Sequence, residues 1–205
     1  LGVEIKYGIE AEPDLILKEN PDGIIVATGA VPVSPPIPGA NLSHVFDFCP
    51  VLSGQFKFPA GSIITVIGSG MTGLETAEHL VAQGYKVNIL EMEHKVGPGA
   101  YFQHLDEALN YLEDNDCKIL CGRKLVEINT DEIIVEEITQ EGELVKRSRI
   151  NTDAVVFAVG SKPVNDIAKI IPEGIPYRII GDASGVKRIA EAVSDGYRSA
   201  VDWPY

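Results

Sequence analysis

The chain has 205 residues, 45% of them hydrophobic and 23% charged, which suits one or two folded domains and excludes a disordered, collagen-like or coiled-coil chain. Its 30 acidic residues against 17 basic ones leave a formal charge of −13, which argues against nucleic acid and against an anionic membrane surface as partners. A small phosphate-bearing ligand stays open, because a helix N-terminus binds phosphate through its amides without any net positive charge on the protein.

No apolar run reaches the roughly 18 residues of a membrane-spanning helix. Cys49, Cys117 and Cys121 form no CxxC pair, and three cysteines at this density fit reduced thiols and a cytoplasmic location. The first residues carry neither an initiator Met nor a signal-peptide pattern, and they begin in what reads as a strand. The expectation is an excised piece of a longer protein.

In chain order, residues 2–7 read as a strand and residues 23–27 as a short apolar strand leading into Thr28-Gly29. Six of the thirteen prolines fall within residues 31–60, which predicts a crossing loop with at most a short helical turn and a domain boundary after residue 60. Residues 62–67 form a β-branched apolar run suited to a buried strand. The glycine turn Gly68-Ser69-Gly70 breaks that run, and a helix follows over 71–83 with Leu74, Ala77 and Val81 on one face. Gly84 stops it, and residues 86–90 form the next strand, ending at Glu91. This order makes a βαβ unit.

A helix is predicted over 101–115 with Phe102, Leu105, Leu109 and Leu112 inward, then a short strand at 118–121. Residues 124–151 alternate with polar breaks and read as a three-stranded antiparallel meander. Another buried strand covers 154–159 and closes at Gly160. Ile179-Ile180 then meets Gly181-Asp182-Ala183, and a last helix spans about 186–200. The fold class is α/β: a Rossmann-like three-layer domain with a parallel sheet and an antiparallel meander at 61–160, flanked by 1–60 and 161–205.

Gly68-x-Gly70-x-x-Gly73 is a GxGxxG pattern between an apolar strand and a helix, the context that dinucleotide binding needs. Gly68 permits the tight turn, Gly70 lets a pyrophosphate approach the backbone, and Gly73 lets helix and strand pack closely. With Ser69, Met71 and Thr72 these residues form the candidate phosphate cradle. Glu91 lies 23 residues after Gly68, where a carboxylate accepts from both adenosine ribose hydroxyls and repels a 2′-phosphate. The expected cofactor is therefore NAD(H) rather than NADP(H). The structural alternative is a tight strand–helix connection with no ligand. Glu75 is either a surface carboxylate or faces the nicotinamide end. Tyr101 and Phe102 either flank the nicotinamide pocket or simply start an apolar helix. His44, His79, His94 and His104 show no metal-ligand spacing, and no metal site is expected.

Four motifs occur in a fixed order: Ala27-Thr28-Gly29; Gly68, Gly70 and Gly73 with Glu75 and Ala77; Ala158-Val159-Gly160 with Pro163 and Asn165; and Gly181-Asp182-Ala183. In that order they resemble the pyridine nucleotide-disulphide oxidoreductase superfamily, in which an NAD(P)-binding domain is inserted into an FAD-binding domain. Within it, the chain looks most like the C-terminal region of the NADH:flavin oxidoreductases related to 2,4-dienoyl-CoA reductase and trimethylamine dehydrogenase, which carry an FMN-containing barrel before this region. The resemblance implies that NADH at Gly68–Gly73 delivers hydride to N5 of FAD. It also implies that Thr28 and Gly29 stand at the first crossover between the two domains and Gly160 at the return crossover, as cofactor-binding positions, and that Gly181-Asp182 is the late flavin motif, with Asp182 on a ribityl hydroxyl. The helix from about residue 186 would direct its N-terminus toward the flavin or its pyrophosphate. For Gly181-Asp182, a turn with an Asx cap is the alternative.

Two features depart from that family. The leading GxGxxG that binds the FAD pyrophosphate is absent, so residues 1–60 and 161–205 make only part of an FAD-binding domain. FAD is then expected in the intact parent rather than on this segment alone. The redox cysteine pair of the disulfide reductases is absent too, so the three cysteines read as structural. No catalytic acid or base is assigned. The expected partners are the missing part of the FAD domain, an FMN-containing barrel, and a second copy in a homodimer formed through exposed apolar surface. The rival readings are a non-enzymatic nucleotide-binding or regulatory module and a flavin-independent dehydrogenase. Gly181-Asp182-Ala183 argues against the second.

Overall fold

The apolar runs around residues 62–67, 86–90 and 154–159 are buried on both faces, which is what neighbouring parallel strands covered by two further layers require. The computed structural model describes residues 2–98 and 102–203, apart from the side chains of 102–104. Along the chain lie α1 (Pro13–Glu19), β1 (Ile24–Val26), β2 (Ala30–Pro32), β3 (Val45–Asp47), α2 (Phe48–Leu52), β4 (Ile63–Ile67), α3 (Met71–Ala82) and β5 (Lys86–Leu90). They are followed by α4 (Phe102–Asp114), β6 (Lys118–Leu120), β7 (Arg123–Ile128), β8 (Glu132–Ile138), β9 (Leu144–Asn151), β10 (Ala154–Phe157), β11 (Ser161–Pro163), β12 (Tyr177–Ile179) and α5 (Ile189–Val201). The fold is Rossmann-like, with a parallel sheet and an antiparallel meander as the sequence predicts.

The chain divides into two compact units, residues 32–160 and residues 1–31 with 161–205. The first holds a five-stranded parallel sheet in the order β3-β10-β4-β5-β6. Alternate residues of each strand serve different layers. Ile64, Val66, Val87, Ile89 and Val156 pack toward Leu74, Ala77 and Leu80 of α3 and Ala108 and Leu112 of α4. Ile67, Leu90, Val155 and Phe157 pack toward Leu125, Ile128, Ile133 and Val135 of the meander β7-β8-β9. Thr65 is a polar residue on a buried strand, and its hydroxyl donates to Thr152 Oγ1 at 2.9 Å, which satisfies it.

The predicted boundary after residue 60 lies elsewhere in the structure. Residues 32–60 belong with the sheet, because β3 adds a strand beside β10 and Phe46, Phe56 and Phe58 form a ring cluster with Tyr85. The division falls at 31/32 and 160/161.

The second unit holds the parallel pair β1–β12, the two-stranded ribbon β2–β11, α1 and α5. The Trp203 ring lies against Gly23, where an added Cβ would stand 1.8 Å from it, and Arg178 sits 5.4 Å over the ring. Residues 2–7 form no strand, which corrects the sequence expectation. A strand exists through its ladder, and no described segment pairs with them. Val3, Ile5, Tyr7 and Ile9 keep the alternation of a strand and are all exposed. The helix α1 was not expected; Pro13 at its start and left-handed Asn20 at its end are the local signals for it. Among the described residues no helix is long and apolar enough to cross a membrane.

Candidate functional site

A cleft of about 660 Å³ opens at the carboxyl ends of β4, β5 and β10. Its walls include Gly68, Gly70, Met71, Thr72, Glu91 and Gly160, so six of the predicted site residues converge there. The chain runs from β4 to β5 and β6 on one side and returns to β10 on the other. The cleft therefore lies where the strand order reverses, the position at which open α/β sheets bind ligands.

The three glycines have distinct reasons to be glycine. Gly68 has φ +102, and a Cβ there would stand 2.7 Å from the Ala158 carbonyl oxygen. At Gly73 a Cβ would stand 2.1 Å from the Gly68 carbonyl oxygen, so helix and turn touch through their backbones. Gly70 differs. Its φ of −63 and ψ of 179 suit any residue, and a Cβ would meet nothing within 4 Å. Neither backbone strain nor packing calls for glycine there, and without a side chain its backbone is open to close approach from the cleft.

The same residue caps α3 without any side-chain hydrogen bond. The first intrahelical bond runs from Leu74 N–H to the Gly70 carbonyl at 3.0 Å, so the amides of Met71, Thr72 and Gly73 precede the ladder. These are donors suited to phosphate oxygens. The cradle therefore fits the pyrophosphate of a dinucleotide.

Beneath the turn, Glu91 is 7% exposed and Ser69 fully buried. Ser69 donates to Glu91 Oε2 from its N–H at 2.8 Å and from its hydroxyl at 2.7 Å. Glu93 N–H donates to Oε1 at 2.8 Å, and Gly97 N–H donates to Ser69 Oγ at 3.2 Å. The carboxylate is thus already engaged by protein donors, which narrows the expected reading of both ribose hydroxyls.

Other predicted residues lie elsewhere. Glu75 is exposed and lines a separate hollow of about 200 Å³ with Glu78 and Glu107. There Glu78 is raised above the usual carboxylate range by burial and by its acidic neighbours Glu75 and Glu107. Thr28, Gly29, Gly181 and Asp182 belong to the other unit. The Thr28 hydroxyl donates to the Val164 carbonyl, and Val164 N–H returns to the Gly29 carbonyl at 2.9 Å. Asp182 Oδ1 accepts from Lys187 N–H at 3.1 Å, the local turn bond foreseen as the alternative to a flavin role. Tyr101 and the side chain of Phe102 lie outside the described residues.

Sequence reasoning missed Arg123 and Lys124, which begin β7 and line the cleft, and the apolar wall of Pro35, Ile37 and Leu125. Only the docking of the meander and of residues 32–60 on the sheet brings them there. Arg123 is paired with Glu137 at 3.1 Å. The cysteines are unpaired. Burial pushes the Cys117 thiol up to about 11. Burial also raises Cys121, with Glu91 adding to the shift and Arg123 opposing it.

Residues 16–182 match the family of pyridine nucleotide-disulphide oxidoreductases. The chain belongs to that family. It is 34% identical over 97% of its length to an NADH oxidase of Thermoanaerobacter brockii and 33% identical over 98% to a bilirubin reductase of Mediterraneibacter gnavus. A solved complex of 2-naphthoyl-CoA reductase with 2-naphthoyl-CoA superposes on the whole chain with a TM-score of 0.86 at 29% identity. The chain spans about 30% of the length of each of these proteins.

Proposed function

We propose that residues 32–160 bind NAD(H), and that the intact parent is a flavin-dependent oxidoreductase in which this segment admits electrons. The observation that carries the reading is Gly70, a glycine that nothing in the protein requires, at the mouth of a cleft rimmed by free helix amides. Its backbone and the amides of Met71, Thr72 and Gly73 hold the pyrophosphate. Glu91 turns its charge toward the adenosine ribose, and the apolar wall of Ile37, Ile67 and Leu125 excludes water from the adenosine. When bound, NADH supplies the hydride and the FAD of the parent takes it up at N5.

Gly181, Asp182 and the start of α5 form the flavin-side part of this reading, with Thr28 and Gly29 at the crossover. Among the described residues, the parallel sheet of the unit that holds them is the two-stranded pair β1–β12, and the unit exposes apolar side chains on two segments. Val3, Ile5, Tyr7 and Ile9 form one row, and Ile189, Val193, Tyr197 and Val201 repeat every fourth residue along α5 as another. In the intact parent these rows are covered by the remaining part of an FAD-binding domain, and an FMN-containing barrel precedes it, as in the NADH:flavin oxidoreductases that the sequence resembles. The relatives named for bilirubin and 2-naphthoyl-CoA share this segment at 29–33% identity although their named substrates differ in kind. This supports a shared electron entry here and a choice of acceptor elsewhere in the parent.

The intact parent tests the flavin part. It should purify yellow, and NADH under anaerobic conditions should bleach the flavin band. A parent that is colourless and cannot be reconstituted with FAD contradicts the reading and favours a flavin-free nucleotide module.

A further inference from the structure

Glu91 holds a position that the NAD(H) reading assigns to the adenosine ribose, yet its carboxylate is largely committed to the protein. A carboxylate offers about four acceptor positions, two on each oxygen. Both positions on Oε2 are taken by Ser69, through its N–H at 2.8 Å and its hydroxyl at 2.7 Å. One position on Oε1 is taken by Glu93 N–H at 2.8 Å. A single acceptor position is left, on Oε1, and Glu91 lines the cleft.

Nothing in this arrangement is free to turn. The Ser69 hydroxyl has one proton, which it gives to Glu91, and its oxygen accepts Gly97 N–H at 3.2 Å. Ser69 is fully buried. The backbone of Glu91 is pinned as well, by its N–H to the Leu120 carbonyl at 2.9 Å and by Arg123 N–H to its own carbonyl at 2.8 Å. The turn before α3 and the loop after β5 are thus joined through one hydroxyl and one carboxylate. Charge-assisted bonds of this kind, shielded from water, are the strong ones.

We propose that Ser69 is a positioning residue that fixes Glu91 with one open acceptor, so that the protein reads a single hydroxyl of the adenosine ribose. The proposal rests on the NAD(H) reading and deepens it. It predicts that the two ribose hydroxyls are not equivalent in binding. Losing the hydroxyl that meets Oε1 removes a hydrogen bond to a charged group and weakens binding by about tenfold. Losing the other leaves affinity within about twofold, because no carboxylate position faces it.

The test is equilibrium titration of the 205-residue chain with NADH, 2′-deoxyadenosine NADH and 3′-deoxyadenosine NADH, followed by calorimetry. One analogue should bind about tenfold more weakly than NADH and the other nearly as well. In Ser69→Ala the backbone N–H of residue 69 and that of Glu93 still hold the Glu91 carboxylate, but one acceptor position on Oε2 opens beside the one on Oε1, and the ratio between the two analogues should fall toward one. A merely structural role for Ser69 lowers all three affinities in proportion and leaves that ratio unchanged. If Ser69→Ala does not fold, the unsubstituted chain still decides the matter. Equal weakening by both analogues, or by neither, overturns the single-hydroxyl reading while leaving NADH binding intact. No binding of NADH itself overturns the NAD(H) reading and this proposal with it.

Discussion

A Cβ on Gly73 would stand 2.1 Å from the carbonyl oxygen of Gly68, so the helix and the turn that precedes it meet backbone to backbone. No flexible side chain lies between them to give way. Gly73→Ala should therefore push α3 off the sheet and destabilise the fold by about 1–3 kcal/mol, the usual cost of overpacking. Chemical denaturation reads this as a lower midpoint. An unchanged midpoint would mean that the contact is looser than the structure shows.

Cofactor choice follows from charge at the ribose end. Glu91 and Glu93 both line the cleft, and Arg123 on the same cleft is already paired with Glu137 at 3.1 Å. A 2′-phosphate would meet the two carboxylates, with Lys124 of the same cleft as the opposing cation. NADPH should bind at least about tenfold more weakly than NADH, and the gap should narrow as salt screens the repulsion. Tighter binding of NADPH would assign the phosphate to Arg123 and Lys124 instead.

Cys117 gives a prediction with a pH sign. Its thiol is pushed up to about 11 by burial, from a reference of 9.0. The folded state therefore keeps the proton that the unfolded state loses first. The stability that this thiol contributes is complete below pH 9.0 and declines as pH rises from there toward about 11. At neutral pH Cys117 should react with an alkylating reagent only after denaturation, read by mass spectrometry of the labelled peptide. Rapid labelling of the native chain would contradict the burial.

The apolar rows on residues 2–9 and on α5 predict association. Ile189 is 84% exposed and Tyr197 71%. Exposed rows of this kind are rarely left bare in solution. The isolated 205-residue chain should self-associate, as a homodimer or by strand exchange, and Ile189→Glu with Tyr197→Glu should return it to a monomer in sedimentation. A strictly monomeric unsubstituted chain would show that these rows need no cover.

Much of the sheet was legible because its strands are buried on both faces, which leaves a β-branched run in β4 and an apolar run in β10 with no charged residue in either. The meander was legible from alternation and from polar turns. Two elements were not. The three residues of β3 sit among prolines, and their strand conformation comes from the ladder with β10 rather than from their own pattern. Residues 2–7 have the pattern of a strand and lack the partner. At the site, the glycine spacing and Glu91 were readable because chemistry fixes residue type at fixed intervals. The bond between Ser69 and Glu91 was not, since it depends on how the turn folds over the end of β5. Arg123 and Lys124 were unreadable for a similar reason: only tertiary docking brings the start of β7 to the cleft.

If the turn at Gly68–Gly73 holds a dinucleotide, Gly70 is the residue that isolates this role from folding. Its φ of −63 is open to alanine, and an added Cβ meets no protein atom within 4 Å. Gly70→Ala should thus leave the denaturation midpoint unchanged while its methyl occupies the space of the pyrophosphate. Calorimetric titration with NADH should give saturable binding to the unsubstituted chain and at least about tenfold weaker binding to Gly70→Ala. Equal binding by the two proteins, or none by the unsubstituted chain, would contradict the account.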